Sequence, residues 1–156
     1  MDGVAVVKFG QTISCFLGVF NLEKLKKMTV FKNQTCLIII TNSHAIAVRF
    51  ENSFVELFDP LGISNNKTLH PIFLFLKRHL PCKKLILNTK IQADKSSQCA
   101  KFCLVFLYLR SHNYTFNDFL NLFTDNFTKN DSLICSLFRK CFNKSIRSKS
   151  ADKVNT

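Results

Sequence analysis

Apolar positions along the chain fall into short runs of two periods, and together they predict an α+β fold. Thr35–Thr41 (TCLIIIT) is β-branched and apolar on both faces, the pattern of a buried strand. Ala45–Phe50 and Phe54–Phe58 are two further short apolar strands around Glu51-Asn52-Ser53, a hairpin signal. Asp59-Pro60-Leu61-Gly62 then supplies turn chemistry. Lys67–Leu80 reads as a helix with Pro71 near its first turn, and Leu85–Asn88 as a short strand. Three helices follow: Gln98–Arg110, apolar all along; Thr115–Phe123, with Thr115 as its N-cap; and Asp131–Phe142, capped by Asp131. Gly3–Phe9 is a short helix candidate at the start. The expected architecture is a small, mostly antiparallel sheet flanked by helices. Residues 1–142 show no repeat and no linker and read as one domain. Residues 143–156 turn polar and Ser/Lys-rich, as a disordered basic tail does.

Composition supports a packed domain. A chain of 156 residues suits one core, and 47% apolar content with 17 Phe supplies large burial per residue. The formal charge is +12, from 22 Lys+Arg against 10 acidic residues. Such a balance means either a solvated basic face or a polyanionic neighbour such as nucleic acid. No zinc-finger spacing, basic-region heptad or aromatic RNA-binding strand accompanies it. The seven cysteines are an odd number, and the opening MDGVAVVKFG lacks a basic segment leading into a long apolar run. Both argue for a reducing intracellular compartment over a secreted disulfide scaffold. No uncharged run is long enough to span a membrane. The Asn-x-Ser/Thr triplets at Asn33 and Asn113 read as chance in an Asn-rich chain.

Four residues have the chemistry of a thiol protease. Cys99 follows a polar segment and opens an apolar helix, where the helix dipole and the first N–H groups favour thiolate. An ordinary buried thiol is the competing reading, and it suits Cys103, Cys135 and Cys141 better, since these lie within helical apolar faces. His44 stands just before one hairpin strand and Asp59 just after the other. A turn centred on Glu51-Asn52 places His44 directly opposite Asp59, where a carboxylate would fix the imidazole tautomer. A surface histidine near a turn aspartate is the plainer alternative. Glu56 competes as the acid, but an odd offset from position 59 sends it to the other face of the strand. His70, His79 and His112 read as solvent-facing or capping. Gln92, in a polar loop, has an amide able to serve an oxyanion together with the Cys99 N–H. Cys99-x3-Cys103 finds no His/Cys pair at zinc spacing, so no metal site is expected.

The order His, Asp, Gln, Cys resembles the adenovirus-type maturation cysteine protease (adenain) family, related to the ubiquitin-like-protein proteases. Phe16-Leu17-Gly18-Val19-Phe20 resembles that family's Phe-Leu-Gly-x-aromatic segment, and Thr35–Ile40 its first core strand before the catalytic histidine. Val55–Gly62 is similar to its apolar-Phe-acid-Pro-Phe-Gly segment. Gln92 lies seven residues before Cys99, the family's spacing from oxyanion glutamine to nucleophile. Cys99-x-x-Phe102-Cys103-x-x-Phe106-Leu107 matches the nucleophile helix, and Asn130-Asp131 the start of the last helix. Two positions depart from the pattern: Ala45 stands where the family has Trp, and Ala100 where it has Gly.

The resemblance implies a papain-like fold with the nucleophile at a helix N-terminus. It implies a monomeric endopeptidase, in the virion and host-cell nucleus, that cleaves viral capsid or core precursors through Cys99, His44, Asp59 and Gln92. It also implies a disulfide from Cys82 to a small activating viral peptide, and DNA as a second activator, without metal or small-molecule cofactor. Two alternatives stay open. One is an isopeptidase for ubiquitin-like proteins, against which Ala45 counts. The other is a catalytically weak, nucleic-acid-binding virion protein, kept open by Ala100.

Overall fold

A computed structural model of the chain describes residues 1–28, 32–42, 44–62, 69–80 and 83–151. The elements run α1 (Gly3–Gly10), β1 (Phe16–Phe20), α2 (Leu22–Lys26), β2 (Thr35–Thr41), β3 (His44–Phe50), β4 (Phe54–Phe58), α3 (Leu69–His79), β5 (Lys84–Leu87), α4 (Cys99–Ser111), α5 (Phe116–Leu120) and α6 (Phe127–Ala151). The five strands form one sheet in chain order.

The sheet is mixed, which corrects the mostly antiparallel expectation. β2/β3 and β3/β4 pair antiparallel, whereas β1/β2 and β4/β5 pair parallel. Parallel neighbours need a crossover, and α2 and α3 supply the two crossovers. Neither β1 nor α2 was expected from the apolar pattern. β1 is a half-exposed edge strand of five residues broken by Gly18 at φ +141°, and its pairing with β2 shifts register between Phe16 and Val19.

Side chains alternate between two cores, as a strand period of two requires. Leu37, Ile39, Ile46, Val48, Val55 and Leu57 pack with Ile72, Phe75 and Leu76 of α3. On the other face Cys36, Ile38, Ala45, Ala47 and Phe58 meet α4. Eight residues of α4, from Cys99 to Leu107, are buried on every side of the helix, because β3 lies on one flank and α6 on the other. Phe106 stacks on Phe58 at 4.7 Å and meets the edges of Phe116 and Phe119 at 5.3 Å. Burying one such ring contributes on the order of 2–3 kcal/mol.

Helix ends follow their capping residues. Thr115 caps α5 in a reciprocal capping box with Asp118. The last helix starts earlier than expected, at Phe127, because Asn126 Oδ1 accepts from Lys129 N at 3.0 Å and does the capping. Asp131 therefore lies inside α6. Phe142 has non-helical φ −117° and ψ 19°, and helical residues continue past it to Ala151. The polar segment expected as a loose tail is thus helical over 143–151, with a kink where the composition changes; residues 152–156 lie outside the described residues. Among the described residues no helix is long and apolar enough to cross a membrane.

Candidate active site

The hairpin brings His44 and Asp59 together, but not in the register expected. Phe50 faces Val55, Val48 faces Leu57 and Ala47 faces Phe58, so the pairing is displaced by two residues. The turn lies one residue further along than expected: Glu51 N–H donates to the Phe54 carbonyl at 3.0 Å, so Asn52 and Ser53, not Glu51 and Asn52, are its central residues. A displacement of two preserves the pleat, so His44 and Asp59 stay on one side as diagonal neighbours. The imidazole spans that diagonal, and its Nε2 lies 2.7 Å from Asp59 Oδ1.

Asp59 is fully buried and tightly placed. The same Oδ1 also accepts from Leu61 N at 2.9 Å. Asn88, 5% exposed, clamps the backbone from both sides: its Oδ1 accepts from Asp59 N at 2.9 Å and its Nδ2 donates to Asp59 O at 2.6 Å. Gly62 closes the turn at φ +76°, with its N–H on the Asp59 carbonyl at 2.9 Å. A Cβ there would come within 2.6 Å of Lys90 N, so only glycine lets this turn approach the 90–92 segment.

Glu56 is occupied elsewhere. Arg110 Nη2 and Nε donate to its two carboxylate oxygens at 2.7 and 2.8 Å. Arg110 is eleven residues along α4 from Cys99, about 16 Å at the helical rise, so this pair pins the far end of the helix.

Cys99 is the first residue of α4. Gln98 at the N-cap makes no side-chain cap bond, and no acid stands in the first turn, so the positive helix end is not neutralised locally. His44 hydrogen-bonds the Cys99 side chain. With Nε2 on Asp59, Nδ1 is the ring nitrogen left for the sulfur. Burial opposes ionisation of Cys99, but the His44 hydrogen bond, the Ala45 and Ala100 backbone amides and the imidazolium charge outweigh it and lower the thiol pKa below its ordinary 9.0. Burial likewise opposes charging His44, yet Asp59 and Cys99 together raise it from 6.5 to about 9. Both shifts favour the thiolate–imidazolium form of the pair.

Gln92 is 1% exposed, and its Nε2 donates to the Ser96 carbonyl at 2.8 Å, inside the loop that leads to Cys99. Its backbone is tied to the acid turn, since Ile91 N and Gln92 N both donate to Pro60 O at 3.0 Å. Buried Asn130 of α6 braces the same segment: its Nδ2 donates to Ile91 O at 2.9 Å and to Thr124 O at 2.7 Å. Asn88 and Asn130 have positioning roles that the apolar pattern does not reveal. A buried Asn at the end of a strand, a poor strand former, is the one sequence signal for the first.

A cleft of about 180 Å³ opens beside the pair, lined by His44, Ala45, Cys99 and Ala100, with Val6 and Ile40 as apolar walls. A larger and more open depression of about 630 Å³ lies across the 93–98 loop, between Lys95 and Arg139, and holds none of the four candidate residues.

The remaining candidates sort plainly. Cys103 is fully buried, its thiol donating to Ala45 O at 3.3 Å, and burial raises its pKa. Cys135 donates to Gln98 Oε1 at 3.3 Å. His70 is exposed. His112 forms the C-cap of α4, with Nδ1 2.8 Å from Tyr108 O. Cys82 lies outside the described residues, as does residue 43 beside His44. Among the described residues no group of three or more His, Cys, Asp or Glu is arranged to hold a metal ion.

No family model matches this sequence, and no curated protein matches it. Among solved structures, the central domain of the uncharacterized Lpg1148 protein from Legionella pneumophila is similar, with a TM-score of 0.58 and 15% identity over 94% of this chain and 98% of that one. At that identity the likeness is one of fold: an α+β domain with a five-stranded mixed sheet flanked by helices.

Proposed function

We propose that this chain is a cysteine endopeptidase of the papain-like, adenain-like kind. The observation that carries the reading is the continuous Asp59–His44–Cys99 relay with its sulfur at the start of α4. The Cys99 thiolate attacks the scissile carbonyl carbon, and the carbonyl π electrons move onto oxygen. One Gln92 Nε2–H is committed to Ser96; the second, with the Cys99 N–H, receives that oxyanion. His44 then gives its proton to the departing amine, which leaves an acyl thioester on Cys99. Neutral His44 takes a proton from water as hydroxide attacks the thioester, and the acid product leaves with the pair restored. Asp59 keeps the ring oriented and supports its positive charge throughout.

Ala45 and Ala100 narrow the departures from the resemblance to their size. Each adds or leaves only a methyl group at the cleft, and neither removes a group the chemistry needs. Viral precursor polypeptides as substrates, and DNA and a Cys82-linked peptide as activators, rest on the resemblance alone, with the +12 charge suited to a polyanion.

The test is digestion of a diverse peptide library by the purified protein, with and without DNA, beside its Cys99→Ala variant. Cleavage is expected with the first and not with the second. Equal cleavage by both, or none by either, would overturn the proposal.

A further inference from the structure

Away from the proposed catalytic cleft, two thiols of the described residues lie in contact. Cys15 precedes β1 and Cys36 lies in β2, and their sulfurs are 3.1 Å apart although 21 residues separate them. The strands hold this contact: Cys36 N–H donates to the Cys15 carbonyl at 2.8 Å, beside the pair Phe16–Cys36. Cys36 has no exposed surface, whereas Cys15 is partly exposed. Arg49, opposite Cys36 on β3, points Nη1 at Cys15 Sγ at 3.6 Å and is itself held by Glu51 through Nε at 2.6 Å. One sulfur is thus accessible and faces a fixed guanidinium, and its neighbour waits behind it in the core.

The two sulfurs are electrostatically unlike. The Cys36 thiol hydrogen bond and the Arg49 charge outweigh burial and lower Cys15 to about 6, so it is mostly thiolate at neutral pH. Cys36, donating that hydrogen bond and buried, is raised and stays protonated. An attacking thiolate beside a resolving thiol is the arrangement redox cysteines need. The pair is also separate from the proposed catalytic site: Cys36 pairs with Arg49 and Thr41 with His44, five residues apart along β2, about 17 Å at the rise of a strand.

We propose that Cys15 and Cys36 form a reversible redox site, which closes to a disulfide when a hydroperoxide oxidises Cys15. The Cys15 thiolate attacks one peroxide oxygen, the O–O bond breaks, and the leaving hydroxide takes a proton to become water. Cys15 is then a sulfenic acid. The Cys36 sulfur attacks the Cys15 sulfur, the S–O bond breaks, and the hydroxyl leaves as water with the Cys36 proton. Two thiols and one hydrogen peroxide give one disulfide and two waters. Closing the bond shortens the contact by about 1 Å. It would staple the edge strand β1, and with it the turn after α1, to β2.

The experiment uses the Cys99→Ala protein, so that the proposed nucleophile does not compete and the result is independent of the peptidase reading. Reduced protein is treated with a slight excess of hydrogen peroxide at pH 7, quenched with N-ethylmaleimide and mapped by mass spectrometry without reductant. A peptide linked through Cys15 and Cys36, reopened by dithiothreitol, is expected as the leading product. Thiolate fraction raises the Cys15 rate about 90-fold over a thiol of pKa 9, and lower nucleophilicity returns about 20-fold, leaving about fourfold. The rate should inflect near pH 6 and shift upward in Arg49→Gln. In Cys36→Ser, dimedone should capture a sulfenic acid on Cys15. Should either substitution impair folding, the linked peptide and the pH inflection of the Cys99→Ala protein decide. Full maleimide labelling of Cys15 and Cys36 after peroxide, or linkage spread evenly over the cysteines, would overturn the proposal.

Discussion

Asp59 matters less for its charge alone than for how firmly it is held. Its carboxylate faces His44 because Leu61 N shares the same oxygen and Asn88 grips the backbone on both sides. The consequence appears in pH dependence. His44 is raised to about 9, so it is protonated below that value and neutral above it. Cys99 is lowered by the His44 hydrogen bond and charge, which favours its thiolate at pH values below the ordinary thiol range. The reactive pair needs both, so kcat/KM should fall on the alkaline side with a midpoint near 9. In Asp59→Asn that limb should move to lower pH, and the rate at pH 7.5 should drop by about 10²-fold. A pH–rate profile of both proteins checks this, and an unmoved alkaline limb would contradict the role given to Asp59. The side assignment of these residues was legible in sequence, since parity along a strand depends only on position numbers. The position of the turn was not, because the Glu51–Phe54 backbone bond that moves it one residue along is a choice among several turns those residues tolerate. Asn88 was hidden for another reason: its partners are backbone atoms, which leave no residue-type signature.

α4 carries the proposed nucleophile at one end and an ion pair at the other. Its apolar circumference made it readable from sequence, as only a helix enclosed on all sides can afford to be apolar all round. The edge strands were less legible. β1 and β5 are short, half-exposed and joined by crossovers, so their parallel pairing depends on where α2 and α3 pack and on no local pattern. Arg110 fixes the far end of α4 by its bidentate bond to Glu56, both side chains largely withdrawn from water. Arg110→Ala leaves a buried carboxylate without its partner and should destabilise the fold by about 3–5 kcal/mol. Urea unfolding measures this. The folded fraction should keep its Cys99 reactivity, because the site lies about 16 Å away.

At the scale of the whole molecule, three separate parts of the chain converge on one frame. The β4 turn gives Pro60 O to the 91–92 segment, that segment gives Ile91 O to Asn130 of α6, and the loop after it delivers Cys99. Asn130 was noticed in sequence only through the resemblance; its bracing across 39 residues of chain is a tertiary fact. Asn130→Ala should lower protection of the Ile91 and Gln92 amides against hydrogen exchange by about tenfold, the effect of losing a buried bond worth about 1.4 kcal/mol. Unchanged exchange at both amides would mean that α6 does not hold the loop.

The central claim is that Asp59 and His44 make Cys99 a catalytic thiolate. Its most direct measurement is labelling of the native protein with a thiol-reactive peptide electrophile at pH 7.5, with every adduct mapped by mass. Preferential modification of Cys99, reduced about 10²-fold or more in His44→Ala, is the predicted result. Comparable labelling of several cysteines, indifferent to His44→Ala, would contradict it.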